Sequence, residues 1–290
     1  MKFFSLPTVG LALGGGGPRG LTHIGIIKTL GRNKIPINYI SGTSIGSLIG
    51  GLYAATKDIK LIEQIAIDNN WRQLGGLFLD PTFRLGFVQG EKIKKFIEKY
   101  IGDIEFKDLK IPFAATGTDL KTGNLVVIDS GKVSEAIRIS ISIPFLFKPV
   151  QKNGQILVDG GLSSPVPVEV VKKMGAQFII GVNLYNDYSD RKIGLTNIPY
   201  DSVNILIHNL GKKDTELADI TISPKTSTLG WTKFLSQKGS LEGIRLGEEA
   251  TEKVMPELKA LLSQKRTTNF FVRLFDFLRK KFNPNLNNRP

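Results

Sequence analysis

The amino-terminal part of the chain contains two glycine-rich turns, and each one follows an apolar run. The first turn, GGGGPRG at 14–20, comes after the apolar residues 9–13, which suit a short buried strand. Apolar residues then recur at helical spacing over 21–30, so a helix is predicted to begin near Pro18 or Arg19. The unit thus combines a strand, a turn of bare backbone and a helix amino terminus, whose free N–H groups favour an anion.

The second turn, GTSIG at 42–46, has the same surroundings. It follows the apolar run 35–40 and precedes a helix rich in small and apolar residues. Two such units in succession predict an α/β fold of three layers, an α/β/α sandwich around a mostly parallel sheet. Both turns then lie at the carboxyl ends of neighbouring strands, the edge at which such sheets bind ligands.

One interpretation of the first turn is a nucleotide-binding loop. Gly15, Gly17 and Gly20 fit G-x-G-x-x-G, which cradles a pyrophosphate. That hypothesis requires an acidic residue at the end of the second strand, and INYISGTS at 37–44 contains none. A nucleotide-binding or lipid-binding module is therefore kept as the non-enzyme alternative.

The second turn matches G-x-S-x-G, the pattern of a nucleophile elbow. Gly42 and Gly46 allow the turn to pack tightly, which leaves the hydroxyl of Ser44 projecting. A plain helix cap at Thr43 or Ser44 fits the same letters. The neighbouring glycine turn favours the elbow, because its N–H groups would stabilise the oxyanion that a serine nucleophile creates.

A serine nucleophile needs a base, and the chain offers three candidates. Two are the histidines, His23 in the first predicted helix and His208 in a later one. The third is Asp159, which ends an apolar strand and is followed by Gly160 and Gly161. Asp-Gly is also ordinary turn chemistry, so Asp159 has a purely structural interpretation as well. We expect His23 to pack or hydrogen-bond behind the glycine turn.

Taken in order, the motifs GGGPRG at 15–20, GTSIG at 42–46 and DGG at 159–161 resemble those of the patatin-like phospholipases. The stretch 115–150 also resembles the core of that family. The resemblance runs from about residue 8 to about residue 255, within a single catalytic domain that we place at 1–260.

The family works with a Ser–Asp dyad and no catalytic histidine. The resemblance therefore implies that Ser44 is the nucleophile and Asp159 the general base. It also implies an oxyanion hole made by N–H groups around Gly16 and Gly17, and the candidate residues of that loop are Gly15, Gly16, Gly17 and Arg19. Arg19 matches a basic position of the family, with an electrostatic or a structural role. The glycines that support the motifs are Gly20, Gly42, Gly46, Gly160 and Gly161.

An alternative set of catalytic residues follows the chain order of an α/β-hydrolase triad, Ser44, Asp159 and His208. Two observations weigh against it. An elbow of that fold normally comes after several strands, and only one strand fits before residue 37. His208 also lies in mid-helix among apolar residues, where packing histidines are common.

These motifs predict a serine acyl hydrolase that cleaves lipid esters, with glycerophospholipids as the expected substrates. The sequence contains no evident cluster of metal ligands, and the dyad needs none. We therefore expect no cofactor and an activity that is independent of calcium. With no cysteine in the chain, disulfides and thiolate metal sites are excluded.

The net charge of +13 favours an anionic partner, either nucleic acid or lipid. No helix-turn-helix, zinc or aromatic-stacking signature is evident, so we expect no nucleic acid partner. The tail at 266–290 favours lipid, because 269–282 has phenylalanine and leucine on one helical face and basic residues mostly opposite. A helix docked on the domain, or on a second subunit of a homodimer, would show the same pattern.

The chain has no apolar run of the roughly 18 residues that a membrane-spanning helix needs. The amino terminus is required as the first strand, so we expect no cleaved signal peptide. The expected location is the cytoplasm, with peripheral membrane association through 269–282.

Two helical patterns, at about 57–70 and 90–101, flank the segment 74–90, which is rich in phenylalanine and leucine. A lid or cap within 57–110, or an acyl pocket, is one interpretation, and buried packing is the other. The run ISIPFLF at 141–147 is a second candidate lining for the same pocket.

Overall fold

The computed structural model describes residues 6–68, 90–144, 146–185 and 198–282; within its helices the side chains of 199–201, 231–232 and 269–282 are outside the description. The segment 74–90, apart from Gly90, therefore lies outside the described residues.

The described strands form one sheet in the order β5-β6-β3-β2-β1-β7-β8, with β4 paired to β3. Their bounds are β1 Val9–Leu13, β2 Tyr39–Gly42, β3 Phe113–Asp119, β4 Leu125–Ile128, β5 Val150–Lys152, β6 Gln155–Asp159, β7 Phe178–Val182 and β8 Ile220–Ile222. The pairs among β3, β2, β1, β7 and β8 are parallel, and β4, β5 and β6 add antiparallel pairs. The sheet is mixed and mostly parallel at its centre, as the sequence predicted.

The helices flank this sheet. Their bounds are α1 Thr22–Arg32, α2 Ile45–Thr56, α3 Ile59–Ile67, α4 Glu91–Ile101, α5 Val133–Ser140, α6 Val168–Lys173, α7 Ile198–Thr215, α8 Trp231–Phe234 and α9 Gln237–Phe282. Short 3-10 turns occupy Gly17–Leu21, Phe106–Asp108 and Gly160–Leu162. None of the helices in the described part of the chain combines the length and the apolar character that crossing a bilayer requires.

The alternation of side chains along β1 separates two apolar layers. Leu11 and Leu13 point into the larger core, which also contains buried residues of α1 to α5 and α9. Ala12 belongs to a smaller cluster with Val168 and Val171 of α6 on the opposite face. Because successive residues of a strand face opposite ways, the central strands are covered on both sides.

The long helix α9 packs against α1 with almost no space between the two backbones. A Cβ atom at Gly25 would lie 2.0 Å from the carbonyl oxygen of Ile244, and one at Gly247 would lie 2.0 Å from that of Thr22. Any side chain at either glycine would separate the helices. This contact anchors α9 beside the first strand–turn–helix unit.

Three predicted boundaries differ from the structure. The first helix begins at Thr22, because a 3-10 turn at Gly17–Leu21 precedes it. The second strand, marked in the sequence by the apolar run 35–40, is Tyr39–Gly42. Just before it, Asn38 donates its N–H to the carbonyl of Val9 and accepts the N–H of Val9 with its side-chain oxygen, both at 2.8 Å. The helix predicted at 57–70 is Ile59–Ile67, capped by Asp58.

The two helices that flank 74–90 bury apolar faces in the larger core. Ile62 and Ile65 of α3, and Ile93 and Phe96 of α4, are almost fully inaccessible. These two helices therefore pack into the core, and a lid, a cap or an acyl pocket that involves 74–90 stays a prediction. In the run 141–147, Ile141 and Phe147 are also core residues, and Phe145 is outside the description.

Candidate active site

The glycine loop, defined as residues 14–17, is fixed at its start by neighbouring elements. The N–H of Gly14 donates to the carbonyl of Val182 at 3.0 Å, and the N–H of Gly15 donates to that of Pro165 at 2.9 Å. A Cβ atom at Gly14 would lie 2.5 Å from the oxygen of Val182, so only glycine fits there. The N–H of Gly15 is thus engaged in a structural hydrogen bond.

The second half of the loop has unused donors. Among the described residues, the N–H groups of Gly16 and Gly17 have no hydrogen-bond acceptor. Gly17 has a φ of 54°, in the left-handed region that glycine adopts most readily. A Cβ atom at Gly16 would come within 2.9 Å of the side chain of Leu184. The loop therefore offers two donors, and side chains are poorly tolerated beside them.

His23 lies behind the loop, as expected from the sequence. It is fully buried, and its Nε2 lies 2.8 Å from the carbonyl oxygen of Gly14, so Nε2–H is the donor. Burial lowers the pKa of His23 to about 4, against a smaller opposing effect of this hydrogen bond. The ring is neutral at ordinary pH, and its Nδ1 has no partner within the described structure.

The elbow follows β2 directly. Thr43 donates its N–H to the carbonyl of Leu13 at 3.0 Å, which brings the turn against the end of β1. Ser44 has a φ of 54° and a ψ of −125°, a strained conformation for a residue with a side chain. A Cβ atom at Gly15 would lie 3.4 Å from the Cβ of Ser44, so the glycine loop and the serine are immediate neighbours.

The two glycines of the elbow are required by close contacts. A Cβ atom at Gly46 would lie 2.2 Å from the carbonyl oxygen of Leu13, and one at Gly42 would lie 2.6 Å from that of Gly46. Gly20 of the first unit is required for the same reason, since a Cβ atom there would lie 2.1 Å from the side chain of Ile45. The two strand–turn–helix units pack on each other through these positions.

Asp159 ends β6 and is almost fully buried. Its Oδ1 accepts the N–H of Gly161 at 2.7 Å, and its own N–H donates to the carbonyl of Ser142 at 2.9 Å. A Cβ atom at Gly160 would lie 2.2 Å from Thr116 Oγ1, so glycine is required next to the carboxylate as well.

The carboxylate of Asp159 has the electrostatic character of a base. Burial raises its pKa to about 6, and hydrogen bonding from Ser44 and from the N–H of Gly161 opposes the rise. Oδ2 has no partner at strict hydrogen-bond geometry among the described residues, so the contact with Ser44 is loose. Loose contacts of this kind are common in unliganded active sites and tighten with substrate.

Arg19 and His208 bond residues that follow β7. Because β1 lies between β2 and β7 in the sheet, these bonds are on the side of the glycine loop away from Ser44. Arg19 Nη1 donates to the carbonyl of Leu184 at 3.3 Å, and its guanidinium lies 5.3 Å from the ring centre of Tyr185. Nδ1 of His208 bonds the carbonyl of Tyr185. His208 is not among the groups that shift the pKa of Asp159.

Sequence reasoning missed a serine that bonds the candidate nucleophile. Ser140, at the end of α5, accepts the N–H of Ser44 with its hydroxyl at 2.9 Å. The two residues are 96 positions apart, and nothing in the run RISISIP singles out Ser140 from its neighbours. Within the described ranges, no three His, Cys, Asp or Glu side chains are grouped as metal ligands would be.

A serine in a strained strand-to-helix turn, next to a buried carboxylate and unused N–H donors, is the arrangement that acyl hydrolases with a serine nucleophile employ. A family model described as patatin-like phospholipase matches residues 11–172, more than half of the chain. The chain belongs to the patatin-like phospholipase family.

Two relatives illustrate the similarity. The chain is 35% identical over 190 residues to the lysophospholipase NTE1 of Debaryomyces hansenii, which covers 63% of the chain and 12% of that protein. It is 36% identical over 181 residues to an uncharacterised NTE family protein of Mycobacterium bovis, which covers 62% of the chain and 50% of that protein. The chain therefore corresponds to part of each relative.

A solved structure with the same fold is VipD from Legionella pneumophila. The superposition has a TM-score of 0.60 and covers 90% of this chain and 67% of VipD, at 12% sequence identity. At that identity the likeness concerns the fold alone.

Proposed function

We propose that this protein is a serine acyl hydrolase that cleaves ester bonds of glycerophospholipids or lysophospholipids. The observation that carries the proposal is the pairing of Ser44, in a strained turn, with a buried Asp159 whose pKa is raised to about 6. Membership of the patatin-like phospholipase family supports the reaction class, and the yeast relatives named as lysophospholipases support the substrate class.

In the proposed mechanism, the hydroxyl oxygen of Ser44 attacks the ester carbonyl carbon while Asp159 takes the hydroxyl proton. The tetrahedral intermediate collapses, and Asp159 returns the proton to the departing alcohol. Asp159 then deprotonates a water molecule, which attacks the acyl-serine. Collapse of this second tetrahedral intermediate releases the fatty acid, and Asp159 returns the proton to the oxygen of Ser44. A base with a pKa near 6 is ionised at neutral pH and still basic enough to accept a proton.

The oxyanion donors in this mechanism are the N–H groups of Gly16 and Gly17, which have no other acceptor in the described structure. Gly15 and Arg19 are assigned structural roles, because the N–H of Gly15 bonds the carbonyl of Pro165 and the guanidinium of Arg19 bonds the carbonyl of Leu184. Every step is assigned to a group of the chain itself, so we propose that the activity is independent of calcium.

The triad alternative would require His208 to bridge Ser44 and Asp159. The ring instead bonds the carbonyl of Tyr185, beyond the glycine loop, while Asp159 is influenced by Ser44 directly. These contacts favour the dyad.

A second proposal concerns the site of action. The segment 269–282 carries phenylalanine and leucine with basic residues between them, in a chain with a net charge of +13. We propose that this end of α9 attaches the enzyme to anionic lipid surfaces.

The proposed activity is tested with a fluorophosphonate probe and a lysophospholipid substrate. The wild-type chain should be labelled at Ser44 and should release fatty acid, and Ser44→Ala should do neither. Ser202→Ala, which removes an exposed serine hydroxyl that donates to the carbonyl of Ile198 in α7, is the control that should keep both. A folded wild-type chain that neither labels nor hydrolyses would favour the alternative of a nucleotide-binding or lipid-binding module.

A further inference from the structure

The segment 163–167 lies between the DGG motif and α6, and it crosses the edge of the sheet where the candidate site lies. Three of its carbonyls accept hydrogen bonds from different parts of that site: Ser164 from Thr43 Oγ1 at 2.8 Å, Pro165 from Gly15 N at 2.9 Å and Pro167 from Ser41 Oγ at 2.7 Å. The elbow, the glycine loop and β2 are therefore all bonded to one short stretch of backbone.

This segment is itself attached to α7 through a carboxylate. Oδ2 of Asp214 accepts the N–H of Val166 at 3.0 Å and the hydroxyl of Ser164 at 3.2 Å. Pro165 and Pro167 have no N–H, so Val166 supplies the one backbone donor between them. The bonds of Asp214 thus fix the residues on both sides of Pro165, the acceptor of the glycine loop.

We propose that Asp214 is a positioning residue of the hydrolase: by fixing segment 163–167, it holds the glycine loop and the nucleophile elbow in the relative placement that the reaction needs. The inference rests on the proposed function. Asp214 touches neither Ser44 nor Asp159 in the described structure, so its effect passes through the carbonyls of Ser164 and Pro165.

The electrostatics of Asp214 fit this assignment. Burial raises its pKa to about 6, and Glu169 on α6 adds to the rise, whereas the N–H of Val166, the hydroxyl of Ser164 and the charge of Lys213 lower it. Burying a carboxylate is costly unless hydrogen bonds compensate. The bonds to Val166 and Ser164 are that compensation.

The test compares three substitutions on a short, soluble ester. Asp214→Ala should lower kcat by roughly tenfold, as expected for the loss of two hydrogen bonds to a charged acceptor, with KM nearly unchanged. Asp214→Asn should recover most of kcat, since its amide oxygen can accept the same N–H. The matched control is Asp219→Ala, which removes a carboxylate that accepts the N–H of Ile179 at 2.8 Å, away from the site.

Asp219→Ala should lower the melting temperature and leave kcat as in the wild type. Should Asp214→Ala fail to fold, Ser164→Ala removes one of the two bonds and should lower kcat by about twofold to threefold. Wild-type kcat in a folded Asp214→Ala protein, or equal losses of kcat in Asp214→Ala and Asp219→Ala, would overturn the proposal. A different result would contradict the proposed function itself: a Ser44→Ala protein that still hydrolyses the ester.

Discussion

Nε2 of His23 donates a hydrogen bond to the carbonyl oxygen of Gly14 across 2.8 Å, in a fully buried environment. The N–H of the same glycine is bonded to Val182. Both backbone polar groups of Gly14 are thus occupied, and within the described loop the N–H groups of Gly16 and Gly17 are the ones without an acceptor. We therefore predict that His23 influences the reaction by holding the glycine loop, without transferring a proton itself.

We expect His23→Leu to lower kcat by about tenfold while KM changes little, because a Gly14 carbonyl without its donor lets the loop relax. His23→Gln, which keeps an N–H donor, should restore part of the loss. Steady-state kinetics on a soluble ester measure both. Ser240→Ala is the control, since it also removes a buried bond to a carbonyl, that of Ala66 in α3, which is not part of the glycine loop. Unchanged kcat in His23→Leu would contradict this role.

The dyad is tested through its base. Asp159→Asn should reduce kcat by several orders of magnitude, as the loss of a catalytic base does in serine hydrolases. His208→Gln should keep most of the activity, because its ring bonds a backbone carbonyl beyond the loop. Hydrolysis rates of the two purified variants distinguish the dyad from the triad. An inactive but folded His208→Gln protein would support the triad.

The fold class, Ser44, Asp159 and the glycine loop could be inferred from the sequence because each is a local pattern. A turn of glycines after an apolar run is visible within ten residues. Ser140 and Asp214 could not be found this way: the bond from Ser44 to Ser140 spans 96 positions, and the one from Asp214 to Val166 spans 48. Bonds of that kind depend on which strands are neighbours, and no spacing along the chain encodes them.

The raised pKa of Asp159 predicts a pH dependence of activity. The base must be ionised to accept the proton of Ser44, so kcat/KM should rise with pH around about 6 and level off above it. The pH profile of wild-type hydrolysis measures this. A profile that stays flat from pH 5 to pH 8 would contradict Asp159 as the base.

The same shift has a consequence for stability. The folded pKa, about 6, lies above the ordinary value of 3.8, so the folded protein holds this proton more tightly than the unfolded chain does. The free energy of unfolding therefore falls as pH rises from about 4 to about 6, by roughly 3 kcal/mol from this group. The unfolding free energy of Asp159→Asn does not decrease in this way, because asparagine does not ionise. The variant should therefore unfold at a higher temperature than the wild type at pH 7.5, with a smaller difference at pH 4. Melting curves at the two pH values provide the measurement.

The unused donors of the glycine loop give a further prediction. Gly16→Ala should lower kcat by about 10²-fold to 10³-fold with a smaller effect on KM, because the new methyl group meets Leu184 at 2.9 Å and displaces an oxyanion donor. Gly31→Ala is the control, since a Cβ atom there meets nothing within 4 Å. It should leave kcat unchanged. A raised KM with normal kcat in Gly16→Ala would indicate a substrate-binding surface in place of an oxyanion hole.

The last prediction concerns the carboxyl end of α9. Leu262 is the last buried residue of this helix whose side chain is described, and Lys265 still bonds Asp219 at 2.7 Å. Removal of 269–290 preserves both contacts, so the truncated protein should fold and hydrolyse a short, soluble ester at the wild-type rate.

If 269–282 attaches to anionic lipid, the same truncation should weaken binding to phosphatidylserine vesicles and slow hydrolysis there. Each basic residue near the surface is worth roughly 1 kcal/mol, and salt should weaken vesicle binding of the intact chain. Replacing Arg273, Arg279 and Lys280 with glutamine tests the charges without changing the length. Parallel loss of stability and soluble-ester activity in the truncated protein would instead indicate a helix docked on the domain. A halved mass in solution would indicate that the tail forms a dimer contact. Vesicle sedimentation, melting temperature and light scattering distinguish these results, and only the first supports a membrane role for the tail.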